Sequence, residues 1–242
     1  MFKLEHDFIN SDGKIIKNEE LSYINKGANA SVWKYRKMAF KIFFEDSYRH
    51  CLTYQTYERM KDLPLKNMIK AIDVYFKDDK SMEERKNFDA YLMNYLEENL
   101  CFLLSDFPLD SLLENIFYLE KDIEIITDYH ILMSDVKPKN SIICNNSDMQ
   151  LYITDVDKFS CQDQMKVSTL LRKNRLMLLY LIKSHFIKDL SNISLSEEKK
   201  QQIYTYLCWY FSPSNLRNEL LVNKVEQLFC GCDSPKKYFK SR

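Results

Sequence analysis

The sequence predicts an α+β protein in which a small five-stranded antiparallel sheet with one helix, residues 1–96, precedes a larger, mainly helical unit, residues 97–242, with a cleft between them. Three observations predict it. Short aromatic and β-branched runs with turn-prone residues between them fill the chain up to Leu96. Apolar residues recur at helical spacing after that point. Hydrophobic residues make up 45% and charged residues 29% of the 242 positions, the balance of a folded domain able to bury a core rather than of a disordered or membrane chain.

Three strands open the chain, over Leu21–Ile24, Ser31–Tyr35 and Met38–Phe44, as an antiparallel meander. The period then changes. Between Ser47 and Lys61 the residues Tyr54, Tyr57 and Glu58 stand three and four apart, and Pro64 closes what reads as a single helix. Two more strands follow, Met68–Phe76 and Ala90–Leu96, around the charged stretch Lys77–Asp89, which reads as a solvated hairpin tip. Leu112, Leu113, Ile116, Leu119, Ile123 and Ile126 predict a helix over Ser111–Thr127. Short strands at Ser141–Cys144 and Leu151–Thr154 flank the turn-prone Asn145–Asp148. Helices resume over Leu170–Phe186 and again from Ser194, where Ser194-Leu-Ser-Glu197 has capping-box spacing.

Composition also excludes whole classes of function. Lys plus Arg (35) equals Asp plus Glu (35), so no net field attracts a polyanion, and nucleic acid is not an expected partner. The apolar run Leu176–Ile182 is far shorter than a membrane span needs and reads as a buried helix. Residues 1–11 carry Glu5 and Asp7 and no continuous apolar stretch, which predicts a cytoplasmic chain; export by a route that needs no signal stays open. Seven scattered cysteines, an odd number, predict reduced thiols, and only Cys230-Gly-Cys232 is close-spaced. The four histidines form no pair that would complete a zinc site with it.

Four segments carry the chemistry. They are Asn25-Lys-Gly27-Ala-Asn-Ala30-Ser-Val32 between the first two strands, Met38-Ala39-Phe40-Lys41 on the third, Asp135-Val-Lys137-Pro-Lys-Asn140, and Ile153-Thr-Asp155-Val-Asp157 after the strand hairpin. In this order and on these elements they resemble the motifs of the protein kinase superfamily, over roughly Leu21 to Ile182. The resemblance implies a bilobal kinase-like fold, with ATP and Mg2+ bound in the cleft. Asp135 then faces the acceptor hydroxyl as catalytic base, Lys137 balances charge on the transferring phosphoryl group, and Asn140 and Asp155 hold the metal. Lys41 reaches the phosphates, with Glu58, seventeen residues on, as its expected counter-ion. Gly27 brings backbone amides to the phosphates, while Val32 and Ala39 sandwich the adenine. Met93-Asn94-Tyr-Leu96 is similar to a kinase hinge, with backbone groups of Asn94 and Leu96 meeting the adenine edge.

The chain also departs from that pattern. Val156 and Asp157 stand where the family has Phe and Gly after the metal aspartate, and Met133-Ser134 replaces His-Arg before the catalytic one. The span from Asp157 to Leu176 is short and has no Ala-Pro-Glu, which predicts a truncated activation segment and a reduced peptide-docking platform. The leading expectation is a protein Ser/Thr kinase acting on a protein substrate. Two alternatives stay open: a small-molecule kinase of the aminoglycoside or choline type, which Asp157 favours, and a nucleotide-binding or non-catalytic scaffold, which the lost glycines favour.

Overall fold

A computed structural model of the chain describes residues 4–44, 52–77, 88–97, 101–103, 109–136, 140–144 and 150–186. The first sheet has seven strands rather than the expected five. They are β1 (Phe8–Asn10), β2 (Ile15–Ile16), β3 (Ser22–Lys26), β4 (Ala30–Tyr35), β5 (Met38–Phe43), β6 (Ala71–Phe76) and β7 (Ala90–Asn94). Their order is β2-β1-β6-β7-β5-β4-β3, with every neighbouring pair antiparallel. The two additional strands form a hairpin that the sheet accepts along the free edge of β6. Gly13 turns its tip with φ of 78°, the Asn10 side chain accepts the Asp12 and Lys14 amides, and Asn10 Nδ2 donates to Asp73 at 2.8 Å.

Alternation along β5 gives the sheet two working faces. Phe40 and Ile42 point to one, where they pack with Phe8, Trp33, Tyr75 and Leu92. Ala39 and Phe43 point to the other, where they meet Tyr57, Phe88, Tyr91 and Met93. Lys41 lies between Ala39 and Phe43 in the strand and so belongs to this second face.

The helix α1 (Tyr54–Met60) covers that face. Thr53 caps it by accepting the Thr56 amide at 3.2 Å, and Thr56, Tyr57 and Met60 are its buried positions. The expected start at Ser47 lies outside the described residues. So do most of the charged stretch 77–89, the turn Asn145–Asp148, the helix expected from Ser194, and Cys230 and Cys232.

The rest of the described chain comprises β8 (Cys101–Leu103), α2 (Leu109–Asp128), β9 (Ile131–Leu132), β10 (Ser141–Cys144), β11 (Gln150–Ile153), β12 (Ser160–Cys161) and α3 (Val167–Phe186). Strands β11, β10 and β8 form one small sheet, and β12 pairs with β9. Buried polar side chains fix these strands to the helices. Asn174 on α3 accepts the Met133 amide at 2.8 Å and donates to Thr127 Oγ1 and the Ile131 carbonyl, both at 2.9 Å. Arg175 Nε donates to Glu120 Oε1 at 2.6 Å, joining α3 to α2.

The strand expected from Met68 begins only at Ala71, because the residues before it run beside β11 instead. Ile69 N donates to the Ile153 carbonyl and Ile153 N to that of Asn67, each at 2.8 Å. Asp122 of α2 accepts the amides of Lys66 at 3.1 Å and Asn67 at 2.7 Å. This strap joins the seven-stranded sheet to the strand that leads into Asp155.

Candidate functional site

Lys41 lies on the α1-facing side of β5, register-paired with Val32 on β4 and Tyr91 on β7. Its side chain is only 12% exposed, so the ammonium needs anionic partners at close range. Two carboxylates from beyond β11 supply them. Lys41 Nζ lies 3.0 Å from Asp155 Oδ1 and closer still to Asp157 Oδ2. Residues 114 and 116 positions apart in sequence thus converge on one ammonium.

Asp157 is 7% exposed and accepts a hydrogen bond from the Tyr91 hydroxyl at 2.8 Å. Burial pulls the Lys41 ammonium down, but Asp157 and then Asp155 outweigh it and hold its pKa above the ordinary lysine value. Burial also acts upward on Asp155, yet the Lys41 charge and hydrogen bonds bring that carboxyl below its usual range. Asp157 goes the other way. Its deeper burial dominates, and with Asp155 adjacent its carboxyl is pushed up despite Lys41. One ammonium cannot fully offset two neighbouring carboxylates, and the more deeply buried of the pair bears the cost.

Glu58 does not pair with Lys41, contrary to the sequence expectation. Its carboxylate takes Lys61, at 2.9 Å, three residues along the same helix. The reason is helical phase: α1 turns Tyr57 and Met60 onto the sheet, and position 58 shares a more solvated stripe with Lys61. The neighbouring Arg59 forms a fork with Asp163, with Nη2 at 2.9 Å from Oδ2, so α1 is fastened to the segment after β12.

Asn140 links the backbone at Asp135 to Thr154, the residue before Asp155. Asn140 is buried and donates through Nδ2 to the Asp135 carbonyl at 2.9 Å. Its own carbonyl accepts the Thr154 amide at 3.0 Å and the Thr154 hydroxyl at 3.2 Å, one residue before Asp155. Asp135 has an exposed side chain on a backbone with φ of 58°, a left-handed conformation uncommon for residues with a Cβ. Lys137 lies outside the described residues.

Val32, Ala39, Met93 and Leu96 all belong to the apolar cluster on the Lys41 face, and the exposed Asn94 ends β7 opposite Met38. The Gly27 amide donates to the Ala30 carbonyl at 2.8 Å, closing a tight turn between β3 and β4. A Cβ at Gly27 would meet nothing nearer than that carbonyl, at an ordinary 3.6 Å, so space alone does not demand glycine there. Tyr91 escaped the sequence reading altogether. The available signal was a phenol within the wholly apolar run Ala90–Met93, where a buried hydroxyl requires an acceptor.

No protein-family model matches the chain, and no curated protein matches it by sequence. Among solved structures it is similar to Rad53, residues 1–466, in complex with AMP-PNP, with a TM-score of 0.50 and 15% identity. That match covers 87% of this chain and 60% of the Rad53 chain. A double mutant of the PknI kinase domain of Mycobacterium tuberculosis aligns with a TM-score of 0.46 and 12% identity, over 66% of this chain and 69% of that one. The fold is protein-kinase-like, resting on the first of these, and the chain spans about three fifths of that structure's length.

Proposed function

We propose that the chain is an ATP- and Mg2+-dependent phosphotransferase of the protein kinase type that acts on a Ser or Thr hydroxyl of a protein. Residues 1–96 serve as its smaller lobe and residues 97–242 as its larger one. One observation carries the reading: Lys41 and Asp155 meet at 3.0 Å within a kinase-like fold, while Asn140 is tied through its side-chain amide to the Asp135 carbonyl and through its own carbonyl to the Thr154 amide.

The donor set fits magnesium. Asp155 is one-third exposed and offers carboxylate oxygens, and Asn140, whose amide nitrogen is used on Asp135, offers its amide oxygen. These are the hard oxygen ligands that Mg2+ prefers. Bound there, the ion would neutralise charge on the terminal phosphates. Lys41 binds the phosphates, and Val32, Ala39, Met93 and Leu96 supply an apolar slot for a base whose edge meets the Asn94 and Leu96 backbone. Asp135 takes the proton from the acceptor hydroxyl as that oxygen bonds to the γ-phosphorus and the bond to the departing ADP oxygen breaks. Lys137 balances the charge in transit. Catalysis of this kind is mostly placement and electrostatics.

Asp157 as an additional metal acid favoured the small-molecule alternative. Its contacts with Lys41 and Tyr91 support a positioning part instead, and the protein acceptor is the reading we prefer. Transfer of labelled phosphate from ATP to casein-like proteins, against an aminoglycoside and amino-alcohol panel, tests the reading. Asp135→Ala is expected to lower transfer at least about a hundredfold with nucleotide affinity retained. Equal transfer by the variant overturns the assignment of Asp135, and nucleotide binding without any transfer favours a scaffold.

A further inference from the structure

We infer that Asp157, seated by the Tyr91 hydroxyl, and not the helix-borne Glu58, is the positioning residue for the Lys41 ammonium, leaving Asp155 for the metal. Three features of the geometry point to this division of labour between neighbouring carboxylates. Asp157 makes the closer contact with Lys41 and is the more deeply buried, at 7% exposure against 33% for Asp155. It is also held from a second side, since Tyr91 donates to Oδ1 while Lys41 takes Oδ2. A carboxylate bonded at both oxygens by buried groups has a fixed orientation, which is what a positioning residue requires.

The strand register makes the arrangement self-consistent. Lys41 and Tyr91 stand opposite one another on β5 and β7, so the ammonium and the phenol rise from the same patch of sheet toward one acceptor. Glu58 lies on α1 and gives its carboxylate to Lys61, not to Lys41. Lys41 is therefore held by Asp157 and Asp155, from the segment after β11, and not by a carboxylate of α1. In this chain α1 is clamped through Arg59 and Asp163, and that clamp serves the segment after β12 rather than the ammonium.

The inference rests on the phosphotransferase reading only for its effect on nucleotide, and a two-part experiment on the full chain separates them. The first part uses no nucleotide. In thermal unfolding, Lys41→Met and Asp157→Asn are expected to be non-additive, the double variant melting no lower than the worse single one, whereas Lys41→Met and Glu58→Gln add. Additivity at 41 and 157 overturns the inference.

The second part titrates AMP-PNP with Mg2+. Asp157→Asn is expected to weaken binding about tenfold while keeping the enhancement by Mg2+, and Asp155→Asn to lose that enhancement. Tyr91→Phe, which keeps the ring packing, is expected to weaken binding about threefold and serves if Asp157→Asn does not fold. Unchanged affinity in both Asp157→Asn and Tyr91→Phe, or loss in Glu58→Gln instead, returns the role to the helix and overturns the proposal. Loss of the Mg2+ enhancement in Asp157→Asn to the same extent as in Asp155→Asn makes it a metal ligand and also overturns it. Absence of any nucleotide binding by the unsubstituted chain, with the unfolding cycle still non-additive, sinks the phosphotransferase reading and upholds the pairing.

Discussion

Individual polar side chains in the interior hold the candidate site in place, and each makes a measurable claim. Asn174 satisfies the Met133 amide, the Thr127 hydroxyl and the Ile131 carbonyl, directly before the turn that presents Asp135. Asn174→Ala is expected to cost about 2–4 kcal/mol in chemical denaturation, because several buried groups lose their partner at once. Asp122 makes a different claim. Burial pushes its carboxyl up, with the Lys66 and Asn67 amides opposing, and the net pKa lies above the ordinary carboxylate value. The folded state therefore holds the proton more tightly than the unfolded chain does. Its contribution to stability is greatest below about pH 4 and falls as pH rises through the folded pKa. Relative to Asp122→Asn, the unsubstituted chain should lose stability as pH rises above about 4 in unfolding titrations. A relative gain with rising pH would show that the backbone amides, not burial, dominate.

Among the strands and helices, what was legible in the sequence was period, and what was not was partnership. The strands at Ser31–Tyr35, Met38–Phe44 and Ala90–Leu96 and the helices at Ser111–Thr127 and Leu170–Phe186 lie within a few residues of β4, β5, β7, α2 and α3, because their apolar spacing spans enough residues to be distinct. The β1–β2 hairpin was missed, although Asp12-Gly13 between Phe8-Ile9 and Ile15-Ile16 is a hairpin signal; strands of three and two residues are too short to show alternation. Gly13→Ala tests what that turn requires. With φ of 78° and no atom within 4 Å of an added Cβ, the cost is backbone strain alone, and a loss of about 1 kcal/mol is expected in denaturant unfolding. The pairing of Lys41 was unreadable for a related reason. Glu58 followed from the kinase resemblance and its place on the next helix, whereas recognising Asp157 needed the knowledge that β5 lies beside β7 and that the chain returns past β11 to Lys41.

Taken whole, the molecule brings chemistry-bearing residues together through sheet order and a strap. Residues 66–69 run between α2 and β11, so the strand that delivers Asp155 is fastened to the same backbone that enters β6. The four segments singled out in the sequence stood out through their resemblance to protein kinase motifs; the electrostatic arrangement among them depends on burial, which no spacing reveals. In the function we propose, Lys41, Asn140 and Asp155 surround a magnesium nucleotide. Calorimetric titration of AMP-PNP into the purified full chain, with and without Mg2+, tests it most directly. Saturable binding that Mg2+ strengthens about tenfold or more is expected, with the strengthening lost in Asp155→Ala. Absence of binding in the presence of Mg2+, or binding that neither Mg2+ nor Asp155→Ala alters, would contradict it.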